Sequence, residues 1–320
     1  MPNAISAKDA QARIKRLEQN IEQVIKGKND VVRMALVGLL AGGHILFEDV
    51  PGVGKTTLAD CLAKSVNLSF QRIQGTSDLM PSDIIGVTVL DPNKHAFVFR
   101  NGPLFANVVL VDEINRTTPK TQSALLEAMN TAQVSVERTT YELPHPFLVI
   151  ATQNPIDSQG TFPLPKSQLD RFMLRLHLGY PDGDRERDIL REQRHPGDLS
   201  MVQPVLSSEE IVAMQEGVRQ VRVEESLLEF IVQLVQATRK SPLIELGCSP
   251  RGALSLRNAA QAHAYMEGRD YCIPDDIKSV AVAVLAHRLG IARTFDESTE
   301  TMGEGTQAVQ AILEEVAVPI

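Results

Sequence analysis

The first part of the chain carries apolar side chains at the spacing of two helices. In residues 5–24 they recur every three or four positions, which predicts an amphipathic helix with Ile14, Leu17, Ile21 and Val24 on its apolar face. Gly27 interrupts this pattern. A second helix is predicted from Val31 to Leu40.

Short continuous apolar runs follow, separated by helical patterns. The strands predicted from these runs are His44–Phe47, Asn107–Val111 and Phe147–Thr152. A helix is predicted from Thr56 to Ser65, and another in the string TTPKTQSALLEAMNTA. Continuous apolar runs suit strands that are buried on both faces of a parallel sheet. The alternation with helices therefore predicts an α/β core with a parallel sheet.

Two segments interrupt this alternation and are typical of β-hairpins. The string VTVLDPNKHAFVFR, from Val87 to Arg100, has turn-forming residues at Asp91-Pro92-Asn93. The string VSVERTTYEL, from Val134 to Leu143, alternates apolar and polar residues. Both hairpins are expected to be insertions into the α/β core.

After Pro181 the patterns are those of short helices. A capping box formed by Ser207 and Glu210 begins one helix, and Ser249-Pro250 begins another that Gly268 ends. Further helices are predicted at Glu224–Lys240, Pro274–Leu289 and Thr306–Val316. We therefore predict a core over residues 1–181, a polar linker over 182–206 and a smaller all-α domain over 207–320.

The composition is that of a globular protein with an acidic balance. The 320 residues include 43% hydrophobic and 22% charged residues, and the net charge is −8. This charge disfavours a surface that coats DNA or an anionic membrane, although a ring can enclose a basic pore. Three separated cysteines and no long apolar run predict a reduced protein of the cytoplasm without a membrane span: Cys61, Cys248, Cys272.

The string DVPGVGKT, from Asp49 to Thr56, has the form of a phosphate-binding loop between a strand and a helix. Backbone N–H groups around the two glycines would surround nucleotide phosphates, Lys55 would add positive charge, and the Thr56 hydroxyl would bind Mg²⁺. Asp49 stands where the motif has glycine, so its carboxylate must point away from the phosphates. The predicted nucleotide-binding residues are Val50, Pro51, Gly52, Val53, Gly54, Lys55, Thr56 and Thr57.

Asp112 and Glu113 directly follow the second predicted strand. Ligands of open α/β sheets bind at the carboxyl ends of the strands, so both side chains are expected beside the phosphate loop. Asp112 would hold Mg²⁺, and Glu113 would orient and deprotonate the attacking water. Alone, the pair is also compatible with ordinary surface charge; together with a phosphate loop it indicates nucleotide hydrolysis.

Three further side chains are candidates for phosphate contacts. Asn154 follows the third strand and is equally compatible with a turn before Pro155. Arg171, in SQLDRF, would supply positive charge to a phosphate, in its own or in a neighbouring subunit, or form a surface salt bridge. Arg251 lies in the first turn of the helix that Ser249 caps, where helix dipole and guanidinium favour an anion.

Together the strings VPGVGKT, VVLVDEINRTTPKTQSALLEAM, ATQNP and GTFPLPKSQLDRF resemble the MoxR family of AAA+ ATPases. The resemblance covers residues 25–180 densely and extends into the helical part through SPRGALSLRNAA. It implies a three-layer αβα core, an all-α lid, ATP and Mg²⁺ as ligands, and a homo-oligomeric ring, usually a hexamer. It also implies a partner protein with a von Willebrand factor A domain.

The resemblance assigns a role to each candidate residue. Lys55 and Thr56 match Walker A, and Asp112 and Glu113 match Walker B. Asn154 matches sensor 1, Arg171 the arginine finger and Arg251 sensor 2, which a relocated lid would bring to a neighbour's nucleotide. The hairpins match the helix-2 insert and the pre-sensor-1 hairpin. The segment IKGK resembles the adenine-side motif, with Lys28 at a position where the family more often has glutamine.

Three functions are compatible with these residues. The preferred one is Mg²⁺-dependent ATP hydrolysis that drives chaperone-like remodelling or activation of partner proteins. A nucleic-acid motor is disfavoured by the acidic balance and by the 4% aromatic content without tryptophan. The third is a nucleotide-gated scaffold with little turnover, which the departure at Asp49 leaves open.

Overall fold

The structure is a computed structural model. It describes residues 4–93, 95–154, 160–181, 183, 186–187, 199–292 and 303–319. Most of the predicted linker over 182–206 lies outside the described residues. Its division from the two flanking domains stays a prediction.

A five-stranded parallel sheet forms the centre of the first domain. In spatial order the strands are β2 (Phe70–Gln74), β5 (Val108–Asp112), β8 (Leu148–Gln153), β1 (Ile45–Glu48) and β9 (Leu174–Leu176). Every residue of β1 and β5 is buried, as expected for continuous apolar runs with helices on both sides. The parallel α/β core predicted from the pattern is confirmed.

Alternate side chains of the strands enter two apolar clusters, one on each face of the sheet. On one face, Phe47 and Leu110 pack with the helices α1 (Ala7–Glu22), α2 (Asn29–Leu40) and α3 (Lys55–Ser65). On the other face, Leu46 and Val109 pack with residues of α4 (Pro81–Ile85) and α5 (Pro119–Thr131). This arrangement is the three-layer αβα core, and the two-residue period of a strand produces it.

The two predicted hairpins are separate two-stranded sheets that contact each other through aromatic rings. The first consists of β3 (Gly86–Asp91) and β4 (Ala96–Asn101), the second of β6 (Gln133–Val136) and β7 (Thr139–Glu142). The rings of Phe99 and Tyr141 stack with centroids 4.4 Å apart, which links one hairpin to the other. At the opposite end of the first hairpin, Leu90 and the paired Phe97 are exposed.

The second domain is helical, as predicted, and its described residues also form a short ribbon. After the four-residue α6 (Lys166–Leu169), its helices are α7 (Ser208–Arg219), α8 (Glu225–Lys240), α9 (Pro250–Met266), α10 (Pro274–Leu285) and α11 (Glu304–Glu315). The ribbon pairs β10 (Ile244–Leu246) with β11 (Gly290–Ile291). The helix predicted over Pro274–Leu289 ends at Leu285, because a 3₁₀ turn at Ala286–Arg288 follows it.

The first two helices of the chain pack against both domains. The backbone N–H of Ile5 donates to the carbonyl of Ala213 at 3.3 Å, and the Tyr265 hydroxyl donates to the carbonyl of Ile5 at 2.7 Å. A single apolar cluster includes residues of α1, α2 and the helices of the second domain. The N-terminal helices therefore bridge the sheet and the lid.

A buried arginine of the second domain fixes it to the end of the core. Arg288 donates from Nε to Asp170 at 2.9 Å and from a terminal nitrogen to the carbonyl of Phe172 at 2.6 Å. Ser249, the N-cap of α9, also donates to the carboxylate of Asp170, at 2.9 Å. A carboxylate of the core thus holds two separate parts of the lid.

The sequence predicts reduced cysteines and no membrane span, and the structure bears on both expectations. The three cysteines are free and buried, and burial raises the pKa of each thiol to about 11 or 12. They therefore behave as small core residues rather than reactive thiols. Among the described residues, no helix has the length and apolar character needed to cross a membrane.

Candidate functional site

The phosphate loop joins the end of β1 to the beginning of α3 and has two glycines in left-handed conformations. Gly52 has φ +85° and Gly54, the N-cap of α3, has φ +100°. A residue with a Cβ atom is strained at these angles, which explains why both positions are glycine. A Cβ atom at Gly52 would meet no atom within 4 Å, so the surface above this residue is open to a ligand. The N-terminus of α3 is directed at that space.

Lys55 begins α3 and curves back over the loop. Its ammonium donates to the carbonyl of Asp49 at 3.0 Å and to the carbonyl of Val50 at 2.8 Å. Partial burial lowers the pKa of Lys55, and the carboxylates of Asp49, Asp112 and Glu113 oppose this shift. The residue therefore places a positive charge inside an acidic site, where phosphate oxygens would compete with the carbonyls for it.

Asp112 ends β5 in the centre of the site. Its carboxylate accepts a hydrogen bond from Arg72 Nε at 2.7 Å, and weaker bonds from the hydroxyls of Thr56 at 3.4 Å and Thr152 at 3.3 Å. Asp112 is buried, whereas 53% of the Arg72 side chain is exposed. The carboxylate consequently lies between a threonine of the phosphate loop and a solvent-facing guanidinium.

Glu113 directly follows the strand in a left-handed conformation, with φ +56°. This conformation is costly for a residue with a side chain and is often found at functional sites. The backbone N–H of Glu113 donates to Thr152 Oγ1 at 2.9 Å. Its carboxylate accepts from Gln74 at 3.2 Å and from Arg116 at 3.0 Å. The carboxylate is therefore held by two polar side chains that donate to the same oxygen.

These side chains surround a cavity of about 380 Å³, within the range of small-molecule sites. The lining includes nine residues that the sequence predicts: Pro51, Gly52, Gly54, Lys55, Thr56, Thr57, Asp112, Glu113 and Asn154. Val50 and Val53 belong to the loop but do not line the cavity. The other lining residues are Asp49, Asp60, Arg72, Gln74, Thr152 and Gln153.

The two predicted arginines lie outside this cavity. Arg171 donates to the carbonyl of Leu126 at 2.7 Å and lines a separate hollow against α5. Arg251 is exposed in the first turn of α9. Asp170, the neighbour of Arg171, accepts from the capping Ser249 of α9, so both arginines are carried by elements joined at one carboxylate.

The chemistry of the cavity fits a nucleotide with a hard divalent cation. Among the described residues, no group of three or more His, Cys, Asp and Glu side chains has metal-binding geometry. Thr56 and Asp112 nevertheless place two oxygen donors next to each other, 3.4 Å apart. Mg²⁺ is typically bound by one or two protein oxygens together with phosphate and water. The residues present therefore fit Mg²⁺ bound together with a nucleotide.

Three contacts of the site are absent from the sequence prediction. Arg72 and Gln74 belong to β2, a strand of mostly polar residues that the hydrophobic pattern does not predict. Their alternation, two positions apart, is the signal that would place both on one face of a strand. Arg116, three positions after Glu113, is the third.

Comparison with known proteins identifies two family regions in this chain. Residues 44–174 match the ATPase family associated with various cellular activities (AAA), and residues 236–314 match the AAA lid domain. Chaperone MoxR1 of Mycobacterium tuberculosis is 39% identical over 93% of this chain and 80% of its own length. The chain belongs to the MoxR family of AAA+ ATPases.

Other relatives agree with this assignment over nearly the whole length. YeaC of Bacillus subtilis is 46% identical over 94% of this chain and 93% of its own. A MoxR protein of Methylorubrum extorquens is 30% identical over 88% of both chains. The crystal structure of a candidate ATPase from Cytophaga hutchinsonii has a TM-score of 0.87 and 38% identity, covering 97% of this chain and 96% of that one. The predicted family, AAA+ core and helical lid are thus confirmed.

Proposed function

We propose that this MoxR-family protein hydrolyses ATP in a Mg²⁺-dependent reaction and uses the energy to remodel or activate partner proteins. The observation that carries the proposal is the convergence of a glycine-rich loop, a lysine and two carboxylates on one cavity. The loop provides N–H donors and Lys55 provides positive charge for the phosphates. The AAA family assignment supports the same activity.

Glu113 is the proposed general base. Its carboxylate lines the cavity and accepts hydrogen bonds from two side chains that fix its orientation. In the proposed reaction it takes a proton from the water that attacks the terminal phosphate, while Asn154 orients that water or the phosphate. Thr56 and Asp112 would hold Mg²⁺, which supplies positive charge at the phosphates when bound.

A ring of identical subunits, a hexamer by resemblance to the family, is part of the proposal. Arg171 and Arg251 do not line the cavity of their own chain, although both are suited to bind phosphate. In an oligomer each would act on the nucleotide of a neighbouring subunit. The hydrogen bond from Ser249 to Asp170 connects the elements that carry the two arginines.

The chaperone-like role rests on the relatives. One similar protein is named chaperone MoxR1. Partners with a von Willebrand factor A domain and a cytoplasmic location are expected from the resemblance to the family. The exposed Leu90 and Phe97 of the first hairpin provide an apolar surface for contact with such a partner.

The metal requirement is tested by titrating Mg²⁺ during ATP hydrolysis by the wild type and by Thr56→Ala and Asp112→Asn. Both variants remove a proposed metal ligand, so we expect each to lower hydrolysis by at least about tenfold at saturating ATP. Glu229→Gln, which changes an exposed carboxylate of the lid, is the control and should match the wild type. Hydrolysis that is unaffected by chelation of Mg²⁺ would contradict this part of the proposal.

The shared site is tested by mixing two inactive variants. Glu113→Gln subunits lack the base but retain Arg171, whereas Arg171→Ala subunits retain the base. In mixed oligomers an intact base then lies beside an intact arginine, so activity should exceed the sum of the separate preparations. The same test with Arg251→Ala examines the second arginine. Absence of any gain at all mixing ratios would argue that the arginines do not act between subunits.

A further inference from the structure

Asp49 occupies the first position of the phosphate loop, where the motif has glycine, and its side chain is bound elsewhere. The carboxylate accepts hydrogen bonds from the backbone N–H groups of Leu178 and Gly179. The bond to Gly179 measures 3.1 Å, and the residue is buried, with 8% of its surface exposed. The residue that departs from the motif therefore forms specific hydrogen bonds to a segment distant in sequence.

The segment in question is 177–180, which follows β9 and leads towards the second domain. It contacts the phosphate loop through side chains as well. His177 Nδ1 donates to the carbonyl of Glu48 at 2.5 Å, at the end of β1. The buried Leu178 side chain lies 3.7 Å from the position that a Cβ atom of Gly54 would take. Loop and segment are therefore packed face to face.

Lys28 holds the other end of the same segment. Its ammonium donates to the carbonyl of Tyr180 at 2.8 Å. Lys28 is the N-cap residue of α2, and Asp49 departs from the phosphate-loop motif at its first position. The two side chains contact four consecutive residues, which links the loop, the segment and the beginning of α2.

The negative charge of Asp49 is unfavourable in a loop that binds phosphates, so its presence there calls for an explanation. A carboxylate in a phosphate loop repels the phosphates of a nucleotide, so it weakens nucleotide binding unless something offsets the repulsion. The two backbone N–H donors provide that offset, because hydrogen bonds to a charged acceptor are stronger than neutral ones. The carboxylate also favours the charged form of Lys55. A small neutral residue at position 49 would not repel the phosphates, but it would lose the hydrogen bonds to Leu178 and Gly179.

We propose that Asp49 couples the phosphate loop to the 177–180 segment, so that ATP binding at the loop displaces the chain that leads towards the lid. Asp49 is a positioning residue in this account and does not touch the reacting atoms. The proposal rests on the proposed ATP binding and deepens it, because it names the connection by which the nucleotide site acts on the second domain.

The first experiment compares nucleotide affinity in Asp49→Ala, Asp49→Asn and the control Glu229→Gln. If Asp49 only adds negative charge, both Asp49 variants bind Mg²⁺–AMP-PNP more tightly than the wild type. If it holds the loop in place, Asp49→Ala binds about tenfold more weakly, and Asn, which keeps one acceptor oxygen, is intermediate. KM for ATP should rise in parallel while kcat changes by less than about threefold. Tighter binding in both variants overturns the proposal.

The second experiment observes the segment directly. Tyr180 is 67% exposed, and its role towards Lys28 is carried by the backbone carbonyl, so Tyr180→Cys accepts an environment-sensitive fluorophore. The native cysteines are buried and should not react. Mg²⁺–AMP-PNP should change the fluorescence in the wild-type background and leave it unchanged in Asp49→Ala at a nucleotide concentration that saturates that variant. Glu229→Cys provides the control label.

The outcomes separate this proposal from the proposed function. No binding of nucleotide to the wild type contradicts the function, and with it the coupling. Binding with the same fluorescence change in the wild type and in both Asp49 variants contradicts the coupling alone. If Asp49→Ala does not fold, Asp49→Asn decides, since a partial loss of the signal at saturation is expected there.

Discussion

Two arginine–aspartate ion pairs with nearly equal N–O distances have different roles in this protein. At the nucleotide cavity, Arg72 Nε lies 2.7 Å from the carboxylate of Asp112, and at the lid, Arg288 Nε lies 2.9 Å from that of Asp170. The Arg72 side chain is 53% exposed, whereas the Arg288 side chain is 1% exposed. Water can therefore replace the partner of the first guanidinium but not that of the second.

The surrounding acceptors increase this difference. Besides Asp170, Arg288 donates to the backbone carbonyls of Phe172, Met173 and Val284 and to the hydroxyl of Ser255. Among the described residues, the Arg72 side chain donates to Asp112 and, at 3.3 Å, to Gln74. An ion pair thus becomes structural when burial and further acceptors leave the arginine no alternative, and stays exchangeable when solvent and a ligand can compete.

The largest effect is expected from Arg288→Met. Methionine fills part of the volume but leaves Asp170 and several carbonyls without their donor, so the free energy of unfolding should fall by about 3–5 kcal/mol. Chemical denaturation monitored by circular dichroism measures this. A loss below about 1 kcal/mol would mean that the buried pair does not hold the lid on the core.

His44, at the beginning of β1, provides a buried polar group that is neutral rather than charged. Its Nδ1 accepts from the N–H of Val149 at 3.0 Å, so Nε2 carries the proton and donates to the carbonyl of Met129 at 2.9 Å. Burial lowers the pKa of His44 from 6.5 to about 4. The unfolded chain therefore takes up a proton at higher pH than the folded protein, and stability is lost as the pH falls from 6.5 towards 4.

His44→Gln should remove this part of the pH dependence. The glutamine amide offers both a donor and an acceptor, and it does not titrate. Between pH 6.5 and 4 the wild type should lose on the order of 3 kcal/mol more stability than the variant. Thermal unfolding across this range measures the difference, with the exposed His95→Gln as control. Parallel pH profiles for wild type and His44→Gln would show that His44 is not held neutral.

The smallest effect on stability is expected from Arg72→Met, the counterpart of Arg288→Met. Because the pair with Asp112 is solvent-facing, the free energy of unfolding should change by less than about 1 kcal/mol. The effect should fall on metal binding, since Arg72 would compete with the proposed Mg²⁺ for Asp112. We expect half-maximal hydrolysis at several-fold lower Mg²⁺. A stability loss as large as that of Arg288→Met would abolish the distinction between the two pairs.

The sequence predicts the centre of the sheet better than its edges. β1, β5 and β8 are mostly apolar runs, the composition expected of strands buried on both faces. In the edge strand β2, FQRIQ, Ile73 alone is buried, and β9 has three residues, too few for a pattern. Both edge strands exist because neighbouring strands pair with them, which is a tertiary effect.

The same division applies to the functional residues. Motifs of consecutive residues place Lys55, Thr56, Asp112 and Glu113 at one cavity, because the loop, the strand ends and their order are local properties. The contacts of Arg72 and Gln74 depend on the register between β2 and β5, which pairs Gln74 with Asp112. The bond between Arg288 and Asp170 joins residues 118 positions apart. No local pattern predicts such pairings.

The most direct test of the account measures ATP binding and ATP hydrolysis for the wild type and Glu113→Gln across a series of protein concentrations. We predict that both proteins bind ATP, that hydrolysis per wild-type subunit rises with concentration as subunits assemble, and that hydrolysis falls by at least about a hundredfold in Glu113→Gln. Equal binding with negligible turnover in both proteins would contradict the account and indicate a nucleotide-gated scaffold.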